Sequence, residues 1–136
     1  MTKPQVTIEN FTIEAPDWLA CRCGCRRFNM MPRFLISLQA FRYSYGRGII
    51  PTSGCRCAKW NADPRVGGVP TSFHECTTKQ ASAVDVTGAD VKGMFEAAKK
   101  FALATGLFNE VIYYPKKNIV HLGWGANKSV PYIAIL

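Results

Sequence analysis

Only two histidines, His74 and His121, occur in the 136 residues of this chain. Any chemistry that needs imidazole therefore rests on these two positions. Long apolar runs are also missing: none approaches the roughly 20 residues required to cross a bilayer, which excludes a membrane-spanning helix. The opening stretch "MTKPQVTIENFTIE" has no apolar h-region, so no secretory signal is read there. A protein made in a cytoplasm, and retained there unless something else releases it, is the expectation. Internal repeats and low-complexity linkers are absent too. Acidic residues are few, nine against seventeen Lys and Arg, giving a net charge of +8. Such a surface favours anionic polymers, either nucleic acid or the anionic components of a bacterial envelope, and charge alone does not choose between them.

What is present fits a folded domain. The length accommodates one domain with a core, residues 1–136, and is short for two. A 48% hydrophobic fraction and 12% aromatics argue against disorder. The six cysteines fall as Cys21, Cys23 and Cys25, then Cys55 and Cys57, then Cys76. Synthesis in a reducing cytoplasm argues against a disulfide framework, and the C-x-C spacing differs from the usual C-x-x-C zinc knuckle. Three readings stay open: structural zinc, ordinary buried or free thiols, and disulfides formed later outside the cytoplasm.

Residues 5–14 alternate through Val6, Ile8, Phe11 and Ile13 and predict an extended lead-in within 1–17. "MPRFLISLQAFRYSYG" puts Phe34, Leu35, Leu38, Phe41 and Tyr45 on one helical face. Pro32 suits its first turn and Gly46 its stop. A short strand around Ile49–Thr52 follows, then a Gly/Pro-rich loop from Ser53 to Thr71. Ser82–Val86 reads as a buried strand. A second helix, about Asp90 to Thr105, carries Val91, Phe95, Ala98 and Ala102 on one face and ends at Gly106. "NEVIYY" and "NIVHLGW", joined by "PKK", predict a hairpin. The expected class is α+β: a single domain with two main helices against a small, mainly antiparallel sheet.

His121 lies inside an apolar strand, where a histidine needs a partner to be tolerated. His74, Asp85 and His121 are the set that supplies two imidazoles and a carboxylate, the donor types of a catalytic zinc site with three protein ligands. The alternative is a satisfied core histidine at 121 and a loop residue at 74. Around them, Cys23-Gly24-Cys25, Leu38-Gln39, Ser53-Gly54-Cys55-Arg56, Asn61, Gly67-Gly68, Ser72-Phe73-His74, Ala83-Val84-Asp85 and His121 occur in an order that resembles one family. It is the zinc D-alanyl-D-alanine carboxypeptidase-like peptidases of bacteria and phages, which cut the peptide stems of peptidoglycan. The resemblance covers roughly residues 18 to 124 and implies their fold. It also implies Zn2+ held by His74, Asp85 and His121. Arg56 would project into the site to hold a substrate carboxylate or a developing oxyanion. Ser72 would support the His74 loop by hydrogen bonding and lie against substrate. With both histidines on metal, a serine triad is not expected.

Two features depart from the family pattern, the loop before Asp85 and the general base. "ECTTKQ" lengthens the segment between His74 and Asp85, and Ala81 stands where a glycine is usual. The family's acid three residues before the last ligand, or its His/Asp partner two away, is replaced here by Asn118 and Gly123. Neither can take a proton from water. Glu75, in the enlarged loop, and Glu110, on the preceding strand, are the substitute candidates, with Glu75 slightly preferred because it adjoins His74.

The leading expectation is a zinc metallopeptidase acting on bacterial peptidoglycan. Its setting would be a phage lysis or virion-associated protein, made in the host cytoplasm and acting at the wall or in the virion. A non-catalytic domain of the same fold that binds cell wall or serves in an assembly is the second reading. A cysteine-zinc nucleic-acid-binding module with Tyr43, Tyr45 and Trp60 exposed is the third, with no recognised nucleic-acid motif behind it.

Overall fold

The computed structural model describes residues 19–126 and 130–136; the expected lead-in at 1–17 lies outside them. Helix α1, Pro32–Tyr45, starts with proline at its first turn and stops at Gly46, whose φ of 76° is the left-handed geometry glycine adopts without a Cβ penalty. Of its predicted face, Phe34, Leu35, Leu38 and Phe41 are buried, and Tyr45 is partly buried against the core. Strand β1 is Ile50–Ser53. The Gly/Pro-rich loop after it contains a helical turn that the sequence reading missed, α2 at Ala58–Ala62. Strand β2, Ala83–Thr87, precedes α3, Val91–Thr105. Asp90 caps α3 by accepting from the Gly93 N–H at 3.0 Å, and Gly106 ends it at φ 69°. The hairpin is β3, Glu110–Tyr114, and β4, Ile119–Gly123.

A fifth strand, β5 at Tyr132–Ile135, pairs parallel with β3 and was not foreseen. Four residues at a sheet edge leave too little alternation to read. The strand order is β1-β2-β4-β3-β5, antiparallel throughout except for that last pair. This is the expected α+β class.

Side chains alternate across a strand, and the alternation sorts this sheet into two faces. Val84, Val86, Val120, Leu122 and Val111 are fully buried in the core with the apolar faces of α1 and α3. Phe41 packs against Phe101 and Phe108 at 5.5 and 5.8 Å between ring centroids, and Phe95 stacks on Tyr113 at 5.5 Å. The residues between these, Asp85 on β2, His121 on β4 and Glu110 on β3, share the opposite face.

Candidate functional site

Antiparallel register places Asp85 directly across from His121. Opposed residues on one sheet face sit close enough for their side chains to meet. One ring nitrogen of His121, Nδ1, lies 3.1 Å from Asp85 Oδ1. His74 arrives from the loop before β2. A short bridge between Arg56 and Glu75, with the Arg56 N–H donating to the His74 carbonyl at 2.8 Å, carries it in. Its Nε2 then lies 3.2 Å from Asp85 Oδ1 and 3.3 Å from His121 Nδ1. Three potential donor atoms converge on one point.

The far side of each imidazole is also engaged. His74 Nδ1 is 2.7 Å from the Gly54 carbonyl, and His121 Nε2 is 2.7 Å from Glu110 Oε1. Both partners are acceptors, so each of those nitrogens carries the proton and donates it. The inward nitrogens, in neutral rings, are then lone pairs facing each other and a carboxylate. Such a group of acceptors needs a cation or extra protons between them. Without a cation the protons are supplied by His121. Burial opposes its charge, but hydrogen bonds to Asp85 and Glu110 outweigh it and raise its pKa to about 9. Burial pushes His74 down instead, against the pull of Asp85. Burial would raise the Asp85 carboxyl, yet the two imidazoles hold it well below the usual carboxylate range. Two outward-braced histidines and a carboxylate fit zinc, and an acceptor behind each ligating imidazole is the usual support of such a site.

The surrounding motif residues act as scaffold. Arg56 reaches Asp85 Oδ2 at 3.3 Å through one terminal nitrogen, Asn61 Oδ1 at 3.4 Å through the other, and Ser53 Oγ at 3.2 Å through Nε. It lines the same cleft as His74, Asp85 and His121, together with Ser72, Tyr114 and Lys117. Asn61 is itself fixed, its amide donating to the Val69 carbonyl at 2.7 Å, and it lies so close to Gly68 that a Cβ there would sit 2.0 Å from its Oδ1. Ser72 Oγ accepts from the His74 N–H at 3.2 Å.

The two candidate bases separate. The Glu75 carboxylate is turned onto its own loop, accepting from the Thr77 N–H at 2.6 Å and the Thr78 hydroxyl at 2.5 Å. Burial alone would raise its pKa, but these bonds outweigh it and lower the value. Glu75, preferred for its place next to His74 in sequence, thus has its carboxylate bonded to its own loop. Residues 77–80 bulge outward and are exposed, and Glu75 stabilises that bulge from inside instead of swinging over the histidines. Glu110 is the acid brought to the trio. Its place is informative: a Cβ on Gly123, paired across from Glu110, would meet Glu110 Oε1 at 2.7 Å and His121 Nε2 at 3.1 Å. The carboxylate from β3 occupies the room that a side chain at position 123 would fill. Asn118 sits in the hairpin turn with φ 55°.

The cysteines divide as well. Cys55 and Cys76 form a disulfide, against the expectation from a reducing cytoplasm. Cys76 belongs to the lengthened loop, and the bridge between Arg56 and Glu75 sets the two residues next to each other. The other four remain thiols.

A centre with two histidines, one carboxylate and an open cleft has the donor set of a catalytic zinc site. The family comparison agrees: residues 6–123 match the family model Peptidase M15, and the chain belongs to that family of zinc, D-Ala-D-Ala carboxypeptidase-like peptidases. No curated protein and no solved structure matches it. Sequence reasoning missed Tyr114 in the cleft and the bracing of Arg56 by Asn61. The first was available in the alternation from Glu110 through Ile112 to Tyr114. The second depends on a loop path that no local pattern encodes.

Proposed function

We propose that this protein is a zinc peptidase that hydrolyses the peptide stems or cross-links of bacterial peptidoglycan, in a phage lysis or virion-associated setting. His74, Asp85 and His121 would be its metal ligands. The observation that carries the reading is the convergence of three acceptor atoms at 3.1–3.3 Å, each imidazole held from behind by a carbonyl or carboxylate. A zinc ion there would polarise the scissile carbonyl and lower the pKa of water toward about 7. Arg56 fixes the second oxygen of Asp85 and presents its charge to the cleft, where a substrate carboxylate or developing oxyanion would lie. Glu110 orients His121 and is the candidate for proton transfer. The net charge of +8 favours approach to an anionic wall.

The experiment is metal analysis of protein purified without chelator, paired with release of new amino termini from peptidoglycan. His121→Ala should lose one metal equivalent and the hydrolysis. Wild-type protein that neither holds nor takes up zinc at these residues would overturn the reading. Zinc without hydrolysis would favour the wall-binding alternative, which the glycine at 123 and asparagine at 118 support.

A further inference from the structure

Four cysteines remain outside the proposed peptidase chemistry. Cys21, Cys23 and Cys25 sit on a tight surface turn, and Cys57 is the N-cap residue of α2, more than thirty positions later. All four sulfurs lie within 4.8 Å of one another. Cys23 Sγ is 3.6 Å from both Cys21 Sγ and Cys57 Sγ. Four thiolates around a zinc ion at about 2.3 Å define a tetrahedron with edges of about 3.8 Å, so these separations match two edges of one coordination shell. A bonded pair would need sulfurs about 2.05 Å apart.

The backbone is arranged around the sulfurs. The Cys57 N–H points at Cys21 Sγ at 3.3 Å, and the Trp60 N–H points at Cys57 Sγ at 3.4 Å. N–H groups aimed at sulfur favour the charged thiolate, but at Cys21 burial outweighs them and pushes the thiol up to about 12, so a cation is needed to hold that sulfur charged. The turn closes through the Cys21 N–H donating to the Arg27 carbonyl at 2.8 Å, with Gly24 at φ 105° and Arg26 at φ 57° folding it back. Arg22, Arg26 and Arg27 are interleaved with the cysteines. Four thiolates on one divalent ion leave a net charge of −2, and these interleaved arginines put positive charge on the same segment.

We propose that Cys21, Cys23, Cys25 and Cys57 bind a second zinc ion, structural in role and separate from the His74–Asp85–His121 centre. On binding, four thiols release their protons to solvent and the ion takes four sulfur ligands, with no change in oxidation state. The ion ties the 21–25 turn to Cys57, the residue directly after Arg56. It thereby fixes the segment from which Arg56 reaches Asp85 and Asn61. The closed shell leaves no position for water or substrate, as expected of a structural site.

The test is made on full-length protein purified under reducing conditions without chelator. Two zinc equivalents per chain are expected, one lost in His121→Ala and the other in Cys23→Ser/Cys57→Ser. Reconstitution with Co2+ alone should give sulfur-to-cobalt charge-transfer absorption in wild type and in His121→Ala, because the other centre has no sulfur ligand. Should the double serine variant fail to fold, thiol titration of His121→Ala decides: four thiols masked, then exposed by chelator with release of one metal. Four thiols that react freely in folded, metal-supplied His121→Ala, or a cobalt complex without the sulfur band, would overturn the proposal. So would disulfides among these four in reduced protein, or iron in place of zinc. A loss confined to one variant tells the two centres apart, since they share no ligand.

Discussion

The imidazole–carboxylate trio and the four-cysteine turn are both groups of convergent metal donors, built by opposite means. His121 and Asp85 stand on central strands, with their direction set by strand register and their backs held by Glu110 and Arg56. Cys23 and Cys25 are exposed on a turn outside the sheet, anchored by the buried Leu19 and Cys21 at its start. The first group is organised by the fold before any ion arrives; in the second, an ion would organise the chain. Preorganisation leaves one side of the trio open to the cleft, whereas a shell built by its ion would close around it.

Asp85→Ala should break the comparison hardest. It removes a proposed ligand, and it also leaves the Arg56 guanidinium, 13% exposed, beside two imidazoles without its carboxylate. Breaking a buried pair in this way costs on the order of 3–5 kcal/mol. Hydrolysis and one zinc equivalent should disappear, and the denaturation midpoint should fall sharply. A variant that loses zinc but keeps its midpoint would show that Arg56 finds another partner. Cys25→Ser, on an exposed turn, should leave the first centre's zinc in place.

Second in size is Glu110→Gln. If Glu110 moves the proton, kcat with zinc at saturation should drop by about 10²–10⁴. If it only orients His121, zinc affinity should fall about 10–100-fold and saturating zinc should restore kcat. The two outcomes assign the residue.

How much of this was legible follows the same division. Both long helices and the hairpin were read from apolar periodicity, because Phe34, Leu38 and Phe41, or Val120 and Leu122, recur at the spacing of the face they bury. The trio was picked out because histidine is so scarce here and the ordered motifs resemble a family. What could not be read depends on tertiary paths. Glu75 adjoins His74 in sequence, yet its carboxylate turns to Thr77 and Thr78. Glu110 is eleven positions from His121 and touches it, because the hairpin register sets it diagonally across the strand pair. The Cys55–Cys76 pairing and the four-thiol group were equally hidden, since C-x-C spacing does not say which segment folds back onto it.

The third prediction concerns pH. His121 has a folded-state pKa of about 9 against an ordinary 6.5, owing to Asp85 and Glu110 outweighing burial. A raised value means that protonated His121 stabilises metal-free protein fully below about pH 6.5, and that this stability fades as pH rises through 9. Chelator-treated protein should lose on the order of 2–3 kcal/mol between those limits. His121→Ala should show a flatter profile over the same range. Zinc binding at pH 7.5 should release a proton from His121, detectable as buffer-dependent heat in calorimetry. An identical pH profile in both proteins would remove His121 as its source.

Gly123→Ala is the smallest change and the most pointed. The new methyl would meet Glu110 Oε1 at 2.7 Å and His121 Nε2 at 3.1 Å. The carboxylate ends a side chain that can swing away, so stability should fall by only about 1 kcal/mol, the worth of an ordinary hydrogen bond. The His121 ring loses its acceptor, however, and zinc affinity at the first centre should fall about tenfold, the low end for a support behind a ligating imidazole. The cysteine group has no contact with position 123 in this geometry and should hold its zinc unchanged. Gly123→Asp combined with Glu110→Ala sharpens the point. It moves the carboxylate to the position where the family resemblance allows a His or Asp partner, and should recover part of the affinity that Glu110→Ala alone loses. If Gly123→Ala binds zinc as tightly as wild type while Glu110→Ala does not, then the bare backbone at 123 is not what lets Glu110 reach His121.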